Sequence, residues 1–308
     1  MFTLEYSVEV VSSIIRMCAP LLYCALAAAI CSKAGIFNLS MDGSMTVAAF
    51  FSIVVNYHTG SVFLSVLAAM VSAMAVSALV GFLVIKLKAN PVVVGIATNV
   101  AMGGVTTYLL YAIFKVRGNF TSPSLVGLPK IRIPVIQDIP FIGAVLSGIT
   151  YVDLFSFVFA ILLYLFLYKT VMGYRIRAIG TNGVAARSLG TPVDRYQFIT
   201  ITLSGILCGL GGVLLSMGTT RLFIENITSG RGYIALAANN LGKSHPIGVL
   251  ISSLFFGTTE ALGFLLQQTS VKGQVTASIP YVATILALML FTVQKRHAKK
   301  KKQKETME

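Results

Sequence analysis

Asn38, Ser40 and Asp42 stand with two glycines in KAGIFNLSMDGSMTVAA, residues 33–49, where the flanking apolar segments call for an unbroken membrane helix. An aspartate in hydrocarbon costs roughly 2.5–3.5 kcal/mol on insertion scales, so such a group is kept where it pairs, faces water or meets a solute. A second break follows far along the chain. Asn226-Ile227-Thr228 and Gly232 head the small apolar run 233–238, as Asn38-Leu39-Ser40 and Gly43 head 44–49. Two polar, glycine-marked breaks in corresponding halves of an apolar chain point to a transport pathway built from discontinuous helices. Asn99, Arg231, Asn239 and Glu260 also lie in or beside apolar segments. With Asn38, Ser40, Asp42 and Asn226 they are the candidate pathway residues, although Asn38 and Asn226 could equally cap the half-helices that follow them. Arg231 and Asp42 fall near each other in the aligned halves and are expected to pair. Amides and hydroxyls at the breaks offer reversible hydrogen bonding to a neutral solute.

Other chemistry finds little raw material. The ten acids are scattered, His58, His245 and His297 fall at loop or tail positions, and no serine, histidine and acid are grouped. AANNLGKS at 237–244 ends like a phosphate-binding loop, in which backbone amides cradle phosphates and the lysine reaches the β and γ groups. Here alanine replaces the first glycine, no strand precedes, and His245-Pro246 follow in place of a phosphate-binding helix. The chain is expected to hold no nucleotide, cofactor or metal. Cys18, Cys24, Cys31 and Cys208 all sit in apolar segments without CxxC spacing, which makes them small core residues.

The elements that must position the polar residues are membrane helices. With 56% hydrophobic and 11% charged residues, the 308-residue chain carries more apolar surface than a soluble domain can bury. A net charge of +14 would point to nucleic acid in a soluble protein, but seven of the 24 Lys and Arg lie at 295–304. In a membrane protein that tail is a cytoplasmic topology signal in contact with anionic lipid, and no nucleic-acid partner is expected. The start has neither a basic n-region nor a small-residue cleavage site, so the first apolar segment is expected to stay in the mature protein.

The expected architecture is all-α, a single transmembrane domain over 1–308 with about nine crossings. Residues 1–15 read as an interfacial helix. Crossings follow at 17–31, a broken one ending near 56, 62–85, 91–114 (interrupted by Thr98-Asn99), 151–168, 198–217, a second broken one including 233–242, 247–266 and 277–293. Proline at 123, 129, 134 and 140 argues for an extended external cap. Gly205, Gly209 and Gly212 offer a small-residue face for close packing. This count places the N-terminus outside and the C-terminus inside, and gives inverted-repeat halves at 1–114 and 196–294, a connector at 115–195 and a basic tail at 295–308. Insertion of residues 1–15 would make ten crossings.

The inner loop GYRIRAIGTNGVAARSLGTP, 173–192, predicts a short Ala-rich helix ended by Gly190, a compact knob below the membrane. Its order of small residues resembles the coupling loop of permease subunits in ATP-binding-cassette (ABC) importers, the branch serving nucleosides, simple sugars and branched-chain amino acids. That loop commonly reads Arg-Ala-x-Gly-x-Asn, then Ala-Ala and Gly, matched by Arg177, Ala178, Gly180, Asn182, Ala185, Ala186 and Gly190. Residues 33–43 resemble the Arg-Ser-Gly-Val-Val-Asn-Ile-Gly-x-Glu-Gly segment of the nucleoside and sugar members. Gly230 to Ala237 resemble Gly-Arg-Gly-Phe-Ile-Ala-Leu-Ala, and Arg16, Pro20 to Leu22 and Phe256-Gly257 add to the likeness. Asp42 stands for the usual Glu, Ser40 for Gly, Lys33 for Arg, and Thr181 where a charge is common.

The resemblance implies a permease subunit in a cell (inner or cytoplasmic) membrane, paired with itself or a second permease. An ABC ATPase would dock on the coupling loop and consume the ATP, and an extracytoplasmic binding protein would deliver the solute. It ranks purine or other nucleosides first, a simple sugar second and a riboflavin-like vitamin third. An ion-coupled secondary transporter is the rival of another class, and the coupling loop, for which such a transporter has no use, separates the two.

Overall fold

A computed structural model describes residues 4–131, 145, 147–218 and 220–267, together with 282, 283, 285 and 289. Over these the chain is a bundle of α-helices with one two-stranded ribbon. Helix α1 spans Leu4–Lys33, α2 Met41–Thr59, α3 Val62–Gly81 and α4 Pro91–Phe114. Strand β1 is Asn119–Thr121. Then come α5 (Tyr151–Lys169), α6 (Val171–Thr181), α7 (Gly183–Ser188), α8 (Val193–Val213), β2 (Leu222–Ile224), α9 (Arg231–Leu241) and α10 (Pro246–Gln267). A π-helical turn extends α3 to Lys86, and another extends α8 to Gly218.

Among the described residues, six helical stretches are long and apolar enough to cross a membrane: Val8–Lys33, Val62–Lys86, Pro91–Phe114, Tyr151–Lys169, Val193–Gly218 and Pro246–Gln267. The expected crossing at 277–293 and the basic tail at 295–308 lie outside the described residues. Helix α2 carries Asp42, Ser44 and Asn56, and α9 has only 11 residues. Neither is a span by length and composition.

Two boundaries differ from expectation. The separate interfacial helix and first crossing are one continuous α1, with Pro20 inside it. Proline removes one helical hydrogen bond, but here the helix is enclosed on both sides. A methyl group at Gly211 of α8 would stand 3.0 Å from the Pro20 carbonyl, and one at Gly257 of α10 would stand 2.6 Å from the Cys18 side chain. Residues 18–29 of α1 are almost wholly buried. The second difference is α4, which runs without interruption through Thr98 and Asn99. Its start is set locally, with Pro91 at the first position and the Asn90 side chain accepting from the Val92 amide at 2.9 Å.

Helix α1 forms the axis of the bundle, and α8, α10, α9 and α5 pack on it. The packing is crosswise: α3 makes its largest contact with α8, and α10 makes its largest with α1. Glycines permit the approach. A Cβ at Gly205 would lie 2.7 Å from the Ala73 carbonyl, one at Gly209 2.8 Å from Met70, and one at Gly212 would strike the Met45 carbonyl. Pro123 and Pro129 lie in the irregular segment after β1, while Pro134 and Pro140 fall outside the described residues. The segment is tied down by Asn56 of α2, whose side chain accepts from the Val126 amide at 2.8 Å and donates to its carbonyl at 3.1 Å.

Candidate functional site

Helix α1 ends at Gly35, whose φ of +72° suits the left-handed closing turn. The Ile36 amide donates to the Cys31 carbonyl at 3.0 Å, and the Gly35 amide to that of Ser32 at 3.1 Å. The chain then runs non-helically to Ser40. Asn38 is buried there, and its carbonyl oxygen accepts from the Ser40 amide (3.0 Å) and hydroxyl (2.7 Å) while its amide donates to Ser204 of α8 (3.3 Å). Ser40 is the N-cap of α2, yet its side chain caps nothing. That task falls to Asn99 of α4. Its oxygen accepts from the Gly43 amide at 2.8 Å, and its nitrogen donates to the Leu39 carbonyl at 2.9 Å and to the Tyr233 hydroxyl at 3.0 Å. A side chain 56 residues away thus satisfies a part-buried helix end.

The second break is shaped by left-handed backbone at Asn226, Ser229 and Gly230, after which α9 begins at Arg231. Its start is capped by Asp42 from the first turn of α2. One carboxylate oxygen accepts from the Gly232 amide at 3.0 Å and the other from the Thr228 hydroxyl at 2.9 Å. Thr228 and Thr46 hydroxyls stand 3.3 Å apart. A Cβ at Gly232 would lie 2.7 Å from the Asp42 amide nitrogen, so only glycine permits this approach. The N-termini of α2 and α9 meet at this one carboxylate, and both helix dipoles favour it.

Arg231 pairs at 2.5 Å with Glu260 of α10 and not with Asp42, as the sequence led us to expect. Both Asp42 oxygens are already engaged by Gly232 and Thr228, and the guanidinium turns away to α10. Arg231 Nε and one Glu260 oxygen find no hydrogen-bond partner among the described residues. Asn239, near the far end of α9, donates to Ser32 of α1 at 3.0 Å, and Asn226 is exposed in the turn. Asn38 with Ser40, Asp42, and Asn99 therefore anchor three hydrogen-bonded groups along the backbone of residues 38–43, with Arg231–Glu260 beside them, while Asn226 and Asn239 stand apart. Thr228, Tyr233, Ser204 and Thr46 complete these groups and were not singled out from sequence. Thr228 was readable as part of the echoed Asn-x-Thr, but the other three are lone hydroxyls on apolar helices.

On the loop of basic residues, α6 and α7 are joined at Asn182, whose side chain accepts from the Ala185 amide at 3.0 Å. Gly190, at φ +79°, ends α7 as its sequence predicts. The Thr191 amide donates to the Ala186 carbonyl and the Gly190 amide to that of Arg187, both at 3.0 Å. Ala186 does not face outward; it packs with Ile179 and Val193 in a small core. The outward residues are Val184 and Leu189, 79% and 86% exposed. Arg177 donates to the Leu167 carbonyl and lies 4.3 Å over the Tyr168 ring. His245, in the turn between α9 and α10, contacts the Tyr164 and Tyr168 rings. Partial burial, and then Lys33, hold its imidazole below the usual value.

Residues 10–293 match the family described as "Branched-chain amino acid transport system / permease component". The guanosine ABC transporter permease protein NupQ of Bacillus subtilis (strain 168) is 32% identical over 284 residues, 89% of this chain and 88% of its own. The nucleoside ABC transporter permease protein NupC of Lactococcus lactis subsp. cremoris (strain MG1363) is 31% identical over 293 residues, 92% of each. The glucose ABC transporter permease protein TsgB13 of Haloferax volcanii is 26% identical over 253 residues, 77% of this chain and 64% of its own.

Proposed function

Because the chain belongs to the branched-chain amino acid transport system / permease component family, we propose that it is the membrane permease of an ABC importer that carries a nucleoside, most simply a purine nucleoside. The observation that carries this reading is the pair of relatives above 30% identity over about nine-tenths of both chains, named for guanosine and nucleosides. The site agrees with it. Charges at the breaks are held by partners, Asp42 by Gly232 and Thr228 and Arg231 by Glu260, which suits passage of a neutral, hydroxyl-rich or ring-bearing solute.

In this reading an ATPase subunit docks on α6–α7 through Val184 and Leu189 and supplies the ATP hydrolysis. A second permease subunit completes the pathway, and an extracytoplasmic protein delivers the nucleoside to a chain seated in the cytoplasmic membrane with its C-terminus inside. The two breaks each complete a crossing with the half-helix that follows, α2 or α9. With 277–293 as the last, the total is nine. The crosswise packing of α3 on α8 and α10 on α1 supports inverted halves at 1–114 and 196–294. A sugar importer is the second reading, favoured by the glucose permease relative.

The test is to purify the binding protein encoded beside this permease and titrate it with guanosine, glucose and riboflavin. Submicromolar affinity for guanosine is expected. Affinity for glucose or riboflavin with none for nucleosides would overturn the substrate and leave the importer standing. Failure of any ATPase to co-purify with the permease would overturn the importer.

A further inference from the structure

The loop that receives the ATPase meets the first break in the membrane where the backbone of Gly180 stands against the turn that ends α1. A methyl group at Gly180 would run into the Lys33 carbonyl oxygen and lie 3.2 Å from the Gly35 amide nitrogen. From the other side, a Cβ at Gly35 would lie 3.3 Å from Gly180 Cα. Backbone therefore rests on backbone, with no flexible side chain between to absorb a displacement. A second hold comes from α8, where Gln197 donates to the Ala34 carbonyl at 3.1 Å. Four residues on, the same strand of chain carries Asn38 and then Asp42, the groups that hold both half-helices in place.

Free volume lies beside this segment. A cavity of about 140 Å³ is lined by Gly35, Ile36, Phe37, Val84, Lys88 and Gln197. Close packing against Gly180 together with adjacent free volume leaves the segment room to yield.

We infer that Gly180 and Gly35, with Gln197, are positioning residues that carry the movement of the ATPase-docking loop into the polar break at Asn38–Asp42. Gly180 acts by permitting contact, and a methyl group there separates α6 from the turn. The inference rests on the importer reading above and deepens it by naming the point where the two sites are joined.

Phe37 lines the cavity and is 46% exposed, while the four native cysteines are buried. Phe37→Cys is therefore a reporter for a maleimide reagent. The complex of the full chain with its ATPase is labelled with and without ATP plus vanadate, and the response is expressed per ATPase recovered. The wild-type background should show an ATP-dependent change in labelling rate. Gly180→Ala should cut that change by roughly fivefold or more, the low end of couplings measured between distant sites. Gln197→Ala should cut it in part. Thr181→Ala, whose hydroxyl bonds back to the Arg177 carbonyl of its own helix, should keep it. A full response in Gly180→Ala, or an equal fall in Thr181→Ala, overturns the inference alone. Should Gly180→Ala recover no ATPase, Gln197→Ala decides, and an undiminished response there overturns it. A wild-type chain that recovers no ATPase overturns the importer reading with it.

Discussion

At the first break Asn38, Asn99 and Asp42 have both of their polar side-chain atoms engaged, by groups from α2, α8, α9 and the segments before α2 and α9. The second break has no such set of its own. It turns on left-handed backbone at Asn226, Ser229 and Gly230, borrows its cap from Asp42, and leaves two buried atoms of Arg231 and Glu260 without partners among the described residues. One polar interruption of a membrane helix is thus a platform fixed by buried hydrogen bonds, and the other is hung from it. Fully satisfied buried networks rigidify the structure around them, which makes the first break the fixed one of the two. The α9 break is accordingly the one expected to move when solute passes.

Removing the shared cap should have the largest effect. Asp42→Ala strands the Gly232 amide and leaves the Thr228 hydroxyl only its longer contact with Thr46. A bond to a charged group contributes about 1.5–3 kcal/mol, so the stranded amide alone should cost roughly 1.5–3 kcal/mol, with more from the weakened Thr228 contact, and abolished uptake is expected. Asp42→Asn keeps one acceptor and should retain part of both. Thermal melts in detergent, with uptake into vesicles, decide it. A wild-type melting point in Asp42→Ala would show that α9 is not hung from α2.

Gly232→Ala comes next, since its methyl would meet Asp42 backbone at 2.7–2.8 Å. Overpacking of this kind costs about 1–3 kcal/mol. Gly104→Ala on α4, where nothing stands within 4 Å, is the control. Equal melting of the two variants would mean that the α2–α9 contact is loose.

Much of this molecule could be read locally. The start of α3 at Val62 and both ends of α4 were set by Ser61, by Asn90-Pro91 and by composition, and Gly190 announced the end of α7. What escaped was cross-chain. Asn99 looked like a helix breaker because an amide in a helix interior competes with the backbone. In the fold it serves the end of another helix, 56 residues away. Arg231 lay near Asp42 in the aligned halves, but which acid it met depended on Thr228 and Gly232 having already taken both carboxylate oxygens. Ala186 read as part of a partner-facing knob because its smallness suits either side of a helix; the inward neighbours Ile179 and Val193 decide the side.

Level with the Gly232 effect is that of the ion pair, which sharpens the contrast within the second break. Arg231 and Glu260 are only partly exposed, at 19% and 15% of their side chains, so removing one partner leaves a poorly solvated charge. Single Arg231→Leu or Glu260→Leu should destabilise by about 3 kcal/mol or less, while the double variant should recover most of it. A double variant that melts below both singles would show that the pair itself holds α9 to α10.

The smallest expected effect is that of acid on His245, where the far end of α9 meets the segment leading to the first break. The ammonium of Lys33 reaches the Lys243 carbonyl at 3.5 Å, and the His245 ring lies against Tyr164 and Tyr168, the latter also covered by Arg177. No acid faces the imidazole from these groups, and its folded value is depressed, first by burial and then by Lys33. A group whose folded pKa lies below its unfolded value binds protons more readily in the unfolded chain, so stability falls with acidification. The fall begins near the ordinary value of 6.5 and continues to the lower folded one. Above that window both states are neutral and His245 adds no pH dependence. His245→Gln should therefore flatten the decline in melting temperature between neutral pH and about pH 5, without altering it above neutrality. The shift should be slight because the ring keeps much of its contact with solvent. Parallel curves for wild type and variant would show that acid acts elsewhere in the bundle, and a steeper decline in the variant would show that protonated His245 is stabilising.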